Sequence, residues 1–90
     1  MKPSDIEQIE YPIQVNGLSR QFGQTFALNH VDLAVPRGSV FGLVGENGAG
    51  KTTLVKHLVG LYKAQRGTVR VFGLDPVKEV EAVLGNVGYL

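Results

Sequence analysis

The chain has 90 residues, enough for one small domain, and its 43% hydrophobic and 19% charged residues are typical of a folded globular protein. A net charge of +1 provides no broad basic field for nucleic acid, and the lack of cysteine excludes disulfides and cysteine-ligated metal sites. No stretch reaches the roughly 18 apolar residues that a membrane-spanning helix needs, and the N-terminus lacks the apolar core of a signal peptide. We therefore expect a cytosolic chain that does not bind nucleic acid.

The first third of the sequence predicts a flexible arm and two strands. Residues 1–10 are mostly polar and are expected to form the arm. Residues 11–18 predict a first strand, in which Pro12 indicates a start near a sheet edge, and residues 19–25 predict a turn. Residues 26–35 predict a second strand with one slip in its alternation, which indicates a bulge. The apolar residues that would share most of one face of this strand are Leu28, Val31, Leu33 and Val35.

The middle of the sequence predicts a turn, a buried strand, a glycine-rich loop and a helix. Residues 35–38 have the proline and glycine of a tight turn, and residues 39–44 form a short apolar run. After the loop, apolar residues recur at helical spacing, and Gly60 stands where such a helix ends. This spacing places Lys56 and His57 on the exposed side, opposite a buried face formed by Leu54, Val55, Leu58 and Val59.

The last third predicts a polar connector over residues 61–67 and a strand over residues 68–72, with Val69 and Val71 on one face. Asp75 can cap a helix that has Pro76 in its first position and ends near Gly85. Residues 86–90 predict a further strand. Because this strand has neither a closing turn nor a polar tail, we expect the chain to be the front part of a larger, incomplete domain.

The loop fits the phosphate-binding pattern G-x-x-x-x-G-K-S/T, with Gly45, Gly50, Lys51 and Thr52 at the fixed positions. Glycines let successive backbone N–H groups point at phosphate oxygens, and the following helix directs its positive end at the same anion. Lys51 adds a full positive charge near the outer phosphates, and the hydroxyl of Thr52 can ligate Mg²⁺. The pattern therefore predicts a nucleotide-binding site with Thr52 as its metal ligand.

The order of these elements resembles the start of an ATP-binding cassette (ABC) transporter ATPase subunit. The resemblance covers about residues 13–90 and rests on the segments GLSRQFG (17–23), ALNHVDL (27–33), GSVFGLVGENGAGKTTL (38–54), GTVRVFG (67–73) and VGYL (87–90). It implies an α/β fold: the start of a P-loop NTPase core with an antiparallel β subdomain at its N-terminus. Residues 11–90 would form the N-terminal part of this nucleotide-binding domain.

The resemblance also implies a set of site residues. Phe22 would stack on the adenine ring; the family more often has tyrosine there, and the alternative is that Phe22 only packs a hairpin. Backbone N–H groups around residues 47–53 would hold the α- and β-phosphates, Lys51 would bridge the β- and γ-phosphates, and the Thr53 hydroxyl would reach the α-phosphate. The implied nucleotide-binding residues are Phe22, Gly45, Asn47, Gly48, Ala49, Gly50, Lys51, Thr52 and Thr53.

For function, the resemblance implies ATP and Mg²⁺ as cofactors, a transmembrane permease subunit and a second ATPase subunit as partners, and a location on the cytoplasmic face of a membrane. The family's glutamine loop, signature segment, Asp-Glu strand end and switch histidine are not in these residues. We therefore assign no catalytic residue, regard His30 and His57 as bystanders, and expect poor ATP turnover by the chain alone.

Three alternatives remain open from the sequence. The first is a non-catalytic nucleotide-binding fragment or gene remnant, which the missing motifs favour. The second is another phosphate-loop enzyme, such as a small-molecule kinase, although the predicted hairpin before the loop is unusual for that class. The third is a DNA-repair or translation ATPase of the same family, but the basic arms or large insertions that such proteins carry are not visible here.

Overall fold

A computed structural model of the protein describes residues 9–37 and 48–86, with only the backbone of Gly48 and Ala49. This part of the chain contains three strands and two helices: β1 (Ile13–Phe22), β2 (Thr25–Val35), α1 (Gly48–Leu58), β3 (Arg66–Val71) and α2 (Val80–Gly85). The strand predicted for residues 39–44, most of the one predicted for residues 86–90, and the loop residues Gly45 and Asn47 lie outside the described residues.

The strands form one sheet in the order β2-β1-β3, and both neighbours pair antiparallel to β1. The central position of β1 contradicts the edge position that Pro12 indicated. Pro12 lies just before the strand, where its missing N–H removes no ladder hydrogen bond. Its carbonyl oxygen instead accepts a 2.7 Å hydrogen bond from the backbone N–H of Phe72, the residue that follows β3.

β1 and β2 form a hairpin whose turn is much shorter than predicted. The predicted turn covered residues 19–25, but β1 continues to Phe22, which pairs directly with Thr25. Gly23 has a φ of +60°, which glycine adopts without steric cost, so Gly23 and Gln24 suffice for the reversal. The extension brings Arg20 and Phe22 into the sheet, two positions apart on one strand.

The slip in the alternation of β2 is a real irregularity of the sheet. The register between β1 and β2 shifts on both sides of Arg20, and His30 has a positive φ of 52°. The backbone N–H of His30 donates a 3.0 Å hydrogen bond to the hydroxyl of Ser19 on β1. The bulge is thus confirmed, and it lets Leu28 and Val35 both point into the core despite the odd spacing.

β3 and α2 differ from the predicted elements at their ends. β3 begins two residues earlier than predicted and ends at Val71, but Val69 and Val71 are both buried, as expected. The prediction that Asp75 caps a helix beginning at Pro76 is wrong, because residues 76–78 form a turn and α2 begins only at Val80, after Glu79. The carboxylate of Asp75 instead accepts a 3.0 Å hydrogen bond from the N–H of Val77 within that turn.

α1 packs on the sheet with a stripe that differs from the predicted one. Leu54 and Leu58 are buried as expected, but His57 is only 1% exposed, whereas Val55 is 38% exposed. Positions 54, 57 and 58 lie within about one third of the helix circumference at 3.6 residues per turn, and position 55 lies outside that arc. The apolar character of Val55 was misleading, and the exposed position predicted for His57 is wrong.

The C-terminus of α1 is closed by Gly60, as predicted. Gly60 has a φ of +81° and donates its N–H to the carbonyl of His57, while Leu61 donates to the carbonyl of Lys56. These two bonds make a Schellman motif, which satisfies carbonyls that the helix end leaves without partners.

Among the described residues, one hydrophobic core joins the sheet to both helices. Side chains of β1 and β3 meet Leu54 and Leu58 of α1 and Val83 of α2. Ile9, at the end of the predicted arm, packs against this core. In the described part of the chain, neither helix combines the length and apolar character needed to cross a bilayer.

Candidate functional site

The N-terminal end of α1 carries the described part of the phosphate-binding pattern. Gly48, Ala49, Gly50 and Lys51 form its first turn, and none of them is acidic. The first four N–H groups of a helix have no partner within it, and together they place partial positive charge at this end. Lys51 is half-buried and Thr52 is exposed. The helix end therefore has the polarity that an anionic ligand requires.

Thr53 lies one residue further along and is largely buried. Its carbonyl oxygen accepts a 2.8 Å hydrogen bond from Nδ1 of His57, one helical turn later. Gly45 and Asn47 lie outside the described residues, so the shape of the loop before α1 remains a prediction.

Phe22 is the last residue of β1, and its side chain is 48% exposed. Its ring centroid lies 6.2 Å from that of Tyr62, with the two planes tilted by 59°. Tyr62 comes from the connector after α1, so the aromatic neighbour of Phe22 belongs to the helix side of the fold rather than to the hairpin. Half of the Phe22 side chain remains open to a flat ligand.

Arg20 lies beside these two rings. Its Cζ atom is 4.5 Å from the ring centroid of Tyr62 and 5.8 Å from that of Phe22, within the range of cation–π contact. Nη2 donates to the carbonyl oxygen of Lys63 and approaches Nε2 of His57 at 3.5 Å. Among the described residues no carboxylate pairs with Arg20, and its buried Nε has no hydrogen-bond partner.

His57 connects Arg20 to α1. Because the carbonyl of Thr53 can only accept, Nδ1 carries the proton, and Nε2 is left to accept from Arg20. Burial lowers the pKa of His57 below 6.5, and the positive charge of Arg20 lowers it further, although the hydrogen bond to Thr53 opposes both. The imidazole is therefore neutral near pH 7, and its edge meets the Tyr62 ring at 5.4 Å.

These contacts define an aromatic–cationic cluster of Arg20, Phe22, Lys56, His57 and Tyr62; the Lys56 ammonium lies 5.5 Å from the ring centroid of Tyr62. Sequence reasoning had found only Phe22. Arg20 was missed because residues 19–25 were predicted to be a turn, although the two-residue spacing of Arg20 and Phe22 was a strand signal. His57 was missed because a polar residue next to Lys56 was assigned to the exposed face.

Two acidic side chains of the described residues accept hydrogen bonds from backbone N–H groups. Asp32 accepts a 2.7 Å hydrogen bond from the backbone N–H of Gly17, which joins β2 to β1. Asp75 accepts from Val77 in the turn before α2. Each carboxylate thus stabilises a local backbone irregularity.

The family model for the ABC transporter matches residues 28–90, more than half of the chain. The chain belongs to the ABC transporter family. It is 40% identical over 80 residues to the bacitracin transport ATP-binding protein BcrA of Enterococcus faecalis, a match that covers 89% of this chain and 26% of BcrA. It is 45% identical over 78 residues to the daunorubicin resistance ATP-binding protein DrrA3 of Streptomyces coeruleorubidus, covering 87% and 25%.

Solved structures agree with this family assignment. The ATP binding subunit of an ABC transporter aligns with a TM-score of 0.62 and 31% identity, over 79% of this chain and 30% of that one. A nucleotide-free ATP-binding cassette from an ABC transporter aligns with a TM-score of 0.58 and 30% identity, over 72% and 26%.

The resemblance and the antiparallel β subdomain predicted from the sequence are thereby confirmed. The chain spans about a quarter of the length of BcrA and of DrrA3.

Proposed function

We propose that this chain is the N-terminal part of the ATP-binding subunit of an ABC transporter, in which ATP binding and hydrolysis drive transport across a membrane. The observation that carries the proposal is the pairing of two features in one fold. One is a helix whose first turns hold Lys51 and Thr52, and the other is a half-exposed Phe22 at the end of the neighbouring sheet. Phosphates need the first feature, and a flat base suits the second.

The residues present fit ATP and Mg²⁺. Backbone N–H groups over residues 47–53 would contact the α- and β-phosphates, Lys51 would neutralise charge on the β- and γ-phosphates, and Thr53 would contact the α-phosphate. Thr52 is exposed next to Lys51, where its hydroxyl would act as one protein ligand of Mg²⁺. Bound Mg²⁺ would neutralise phosphate charge, and it keeps several of its waters, so few protein ligands are needed.

The partners in this proposal are a transmembrane permease subunit and a second ATPase subunit. Two ATPase subunits would enclose the nucleotides between them, on the cytoplasmic face of the membrane. The names of the relatives support transport as the process, since BcrA is a bacitracin transport protein and DrrA3 a daunorubicin resistance protein. No catalytic residue is assigned among residues 1–90, and hydrolysis is a proposal for the full-length protein.

The first test is ATP binding by the full-length protein with Lys51 replaced. Lys51→Ala removes a charge-assisted contact worth about 1.5–3 kcal/mol, so we expect the Kd for Mg-ATP to rise by about tenfold to a hundredfold. Lys78→Ala is the matched control, because Lys78 is exposed in the turn before α2. Isothermal titration would measure both, and equal affinity of Lys51→Ala and the unsubstituted protein would contradict the proposed phosphate site.

A second test concerns the base. Phe22→Ala removes a stacking surface, so we expect Mg-ATP binding to weaken by about fivefold or more while inorganic triphosphate binding changes little. Phe26→Ala is a close control, because Phe26 is 50% exposed on β2 and thus matches Phe22 in type and exposure. If Phe22→Ala weakened both ligands equally, Phe22 would have no role in base recognition.

A further inference from the structure

Arg20 joins the two elements that the proposed nucleotide site depends on. It lies on β1, two residues before Phe22, and it contacts His57 on α1, which is 37 positions away in the chain. The same guanidinium reaches the carbonyl of Lys63 and the ring of Tyr62 in the connector that follows α1. One side chain therefore links the end of β1 to the C-terminal end of the helix that begins with the phosphate-binding residues.

Hydrogen bonds from Nη2 account for only part of the placement of the Arg20 guanidinium. Its buried Nε has no partner among the described residues, which is unfavourable for a donor, and no described carboxylate balances its charge. The same guanidinium also makes two cation–π contacts, with the ring of Tyr62 at 4.5 Å and with that of Phe22 at 5.8 Å. Arg20 thus restricts where these two rings can lie.

A nucleotide that binds through both its phosphates and its base needs the two binding points at a fixed separation. Lys51 and Thr52 lie near the N-terminal end of α1, and His57 lies near the C-terminal end of the same helix. Because a helix is rigid over this length, any group held by His57 is also held relative to Lys51. Pre-organisation of this kind increases affinity by reducing the ordering that binding requires.

We propose that Arg20 is a positioning residue for nucleotide binding, which together with Tyr62 and His57 holds Phe22 in place relative to α1. This inference rests on the proposed function, because it assumes that Phe22 contacts the base and that the start of α1 contacts the phosphates. Arg20 itself does not touch the nucleotide in this arrangement.

The test compares two ligands in the full-length protein. For Arg20→Ala, we expect the Kd of Mg-ATP to rise by about threefold to tenfold, as the loss of a partly buried cation–π contact implies, with inorganic triphosphate binding unchanged within about twofold. Arg66→Ala is the control, because Arg66 is an exposed arginine on β3, opposite Ser19 of β1. Arg20→Lys keeps the charge but cannot contact the Lys63 carbonyl, His57 and the Tyr62 ring at the same time, so it should weaken Mg-ATP binding in the same direction as Arg20→Ala.

A double-mutant cycle separates positioning from a general effect on the fold. If Arg20 acts through Phe22, the Kd of Mg-ATP for Arg20→Ala combined with Phe22→Ala should be within about twofold of that for Phe22→Ala alone. If the two losses instead multiply, Arg20 acts independently of Phe22 and the inference is wrong.

Two further outcomes keep the inference apart from the proposed function. If Lys51→Ala weakens Mg-ATP binding but the losses of affinity in Arg20→Ala and Phe22→Ala multiply, only the positioning role of Arg20 is contradicted. If Lys51→Ala leaves the affinity unchanged, the proposed function itself is contradicted. Should Arg20→Ala also lose triphosphate binding, Tyr62→Leu repeats the test through the same ring contact. Loss of triphosphate binding in both variants would overturn the inference, since the cluster would then serve the fold alone.

Discussion

His57 is an ionisable side chain that α1 keeps away from water. Its Nδ1 donates to the carbonyl of Thr53, and its Nε2 faces the guanidinium of Arg20. Protonation of Nε2 would replace an acceptor by a second positive charge 3.5 Å from Arg20, with the Lys56 ammonium also near the shared Tyr62 ring. The arrangement therefore requires a neutral imidazole, and protonation of His57 at low pH should destabilise the folded state.

The consequence is a pH dependence of stability with a definite sign. The folded-state pKa of His57 lies below 6.5, so the unfolded chain binds the proton more readily. The free energy of unfolding should be highest above about pH 7 and should fall as the pH drops below 6.5 toward the folded-state pKa, by about 1.4 kcal/mol per unit of pKa depression.

Denaturant unfolding between pH 7.5 and 5 would measure this dependence. His57→Gln should be less stable at pH 7.5 but should lose less stability on acidification. His30→Gln provides a matched histidine substitution at an exposed position of β2. If His57→Gln and the unsubstituted protein showed the same slope, His57 would not be the group responsible.

At the scale of elements, the end of α1 depends on a glycine at a position that disfavours any side chain. Gly60 has a φ of +81°, and a Cβ added there would lie 2.4 Å from the carbonyl oxygen of Pro76. Such a separation is far below van der Waals contact, and the opposing atom is backbone. The position thus combines an unfavourable backbone conformation with a steric clash.

Gly60→Ala should therefore destabilise the protein by more than the about 1–3 kcal/mol expected for backbone strain alone. Gly73→Ala separates the two causes, because Gly73 also has a positive φ of 75° but its Cβ would meet nothing within 4 Å. Thermal unfolding followed by circular dichroism would compare the variants. Equal destabilisation of the two would show that the close approach to Pro76 has no energetic effect.

The helices and strands also show which features of the fold could be predicted from the sequence. The Gly60 stop and the slip in β2 depend on local backbone chemistry, which residue types report directly. The length of β1 could not be predicted from residue types. Ser19 is a common turn residue, and its hydrogen bond to the N–H of His30 is what makes it suitable for a buried strand position. Likewise, nothing local indicates that β3 pairs with β1 and makes it central.

Only part of the candidate site could be predicted from the sequence, for a related reason. The phosphate-binding pattern is contiguous, so Gly50, Lys51 and Thr52 could be placed at the start of α1 from the sequence, as the structure has them. The aromatic–cationic cluster instead joins β1, α1 and the following connector. These three segments are far apart in the chain or differ in structure, and no spacing rule connects Arg20 with His57 or Tyr62.

At the scale of the whole molecule, one core supports every element of the described chain. Leu18 lies in the central strand with no exposed surface, and it belongs to the cluster that includes Leu54 and Leu58 of α1 and Val83 of α2. A cavity at this position would weaken the packing of the sheet and of the helix that carries Lys51. Stability and nucleotide binding should therefore be lost together.

We expect Leu18→Ala to lower the free energy of unfolding by about 2–5 kcal/mol, a large fraction of the about 5–15 kcal/mol of an ordinary domain. Leu61→Ala is the control, because Leu61 is 70% exposed and its replacement should change stability by no more than about 0.5 kcal/mol. Urea unfolding would measure both variants. A Leu18→Ala protein as stable as Leu61→Ala would contradict a shared core.

The central position of β1 has a consequence for synthesis on the ribosome. β2 follows β1 immediately, so this hairpin can close early, whereas β3 emerges only after α1 has been made. Until then one side of β1 offers unpaired backbone groups. Phe22 gains its aromatic neighbour Tyr62 only when the connector after α1 has been made, shortly before β3, so the aromatic–cationic cluster is completed late in the order of synthesis.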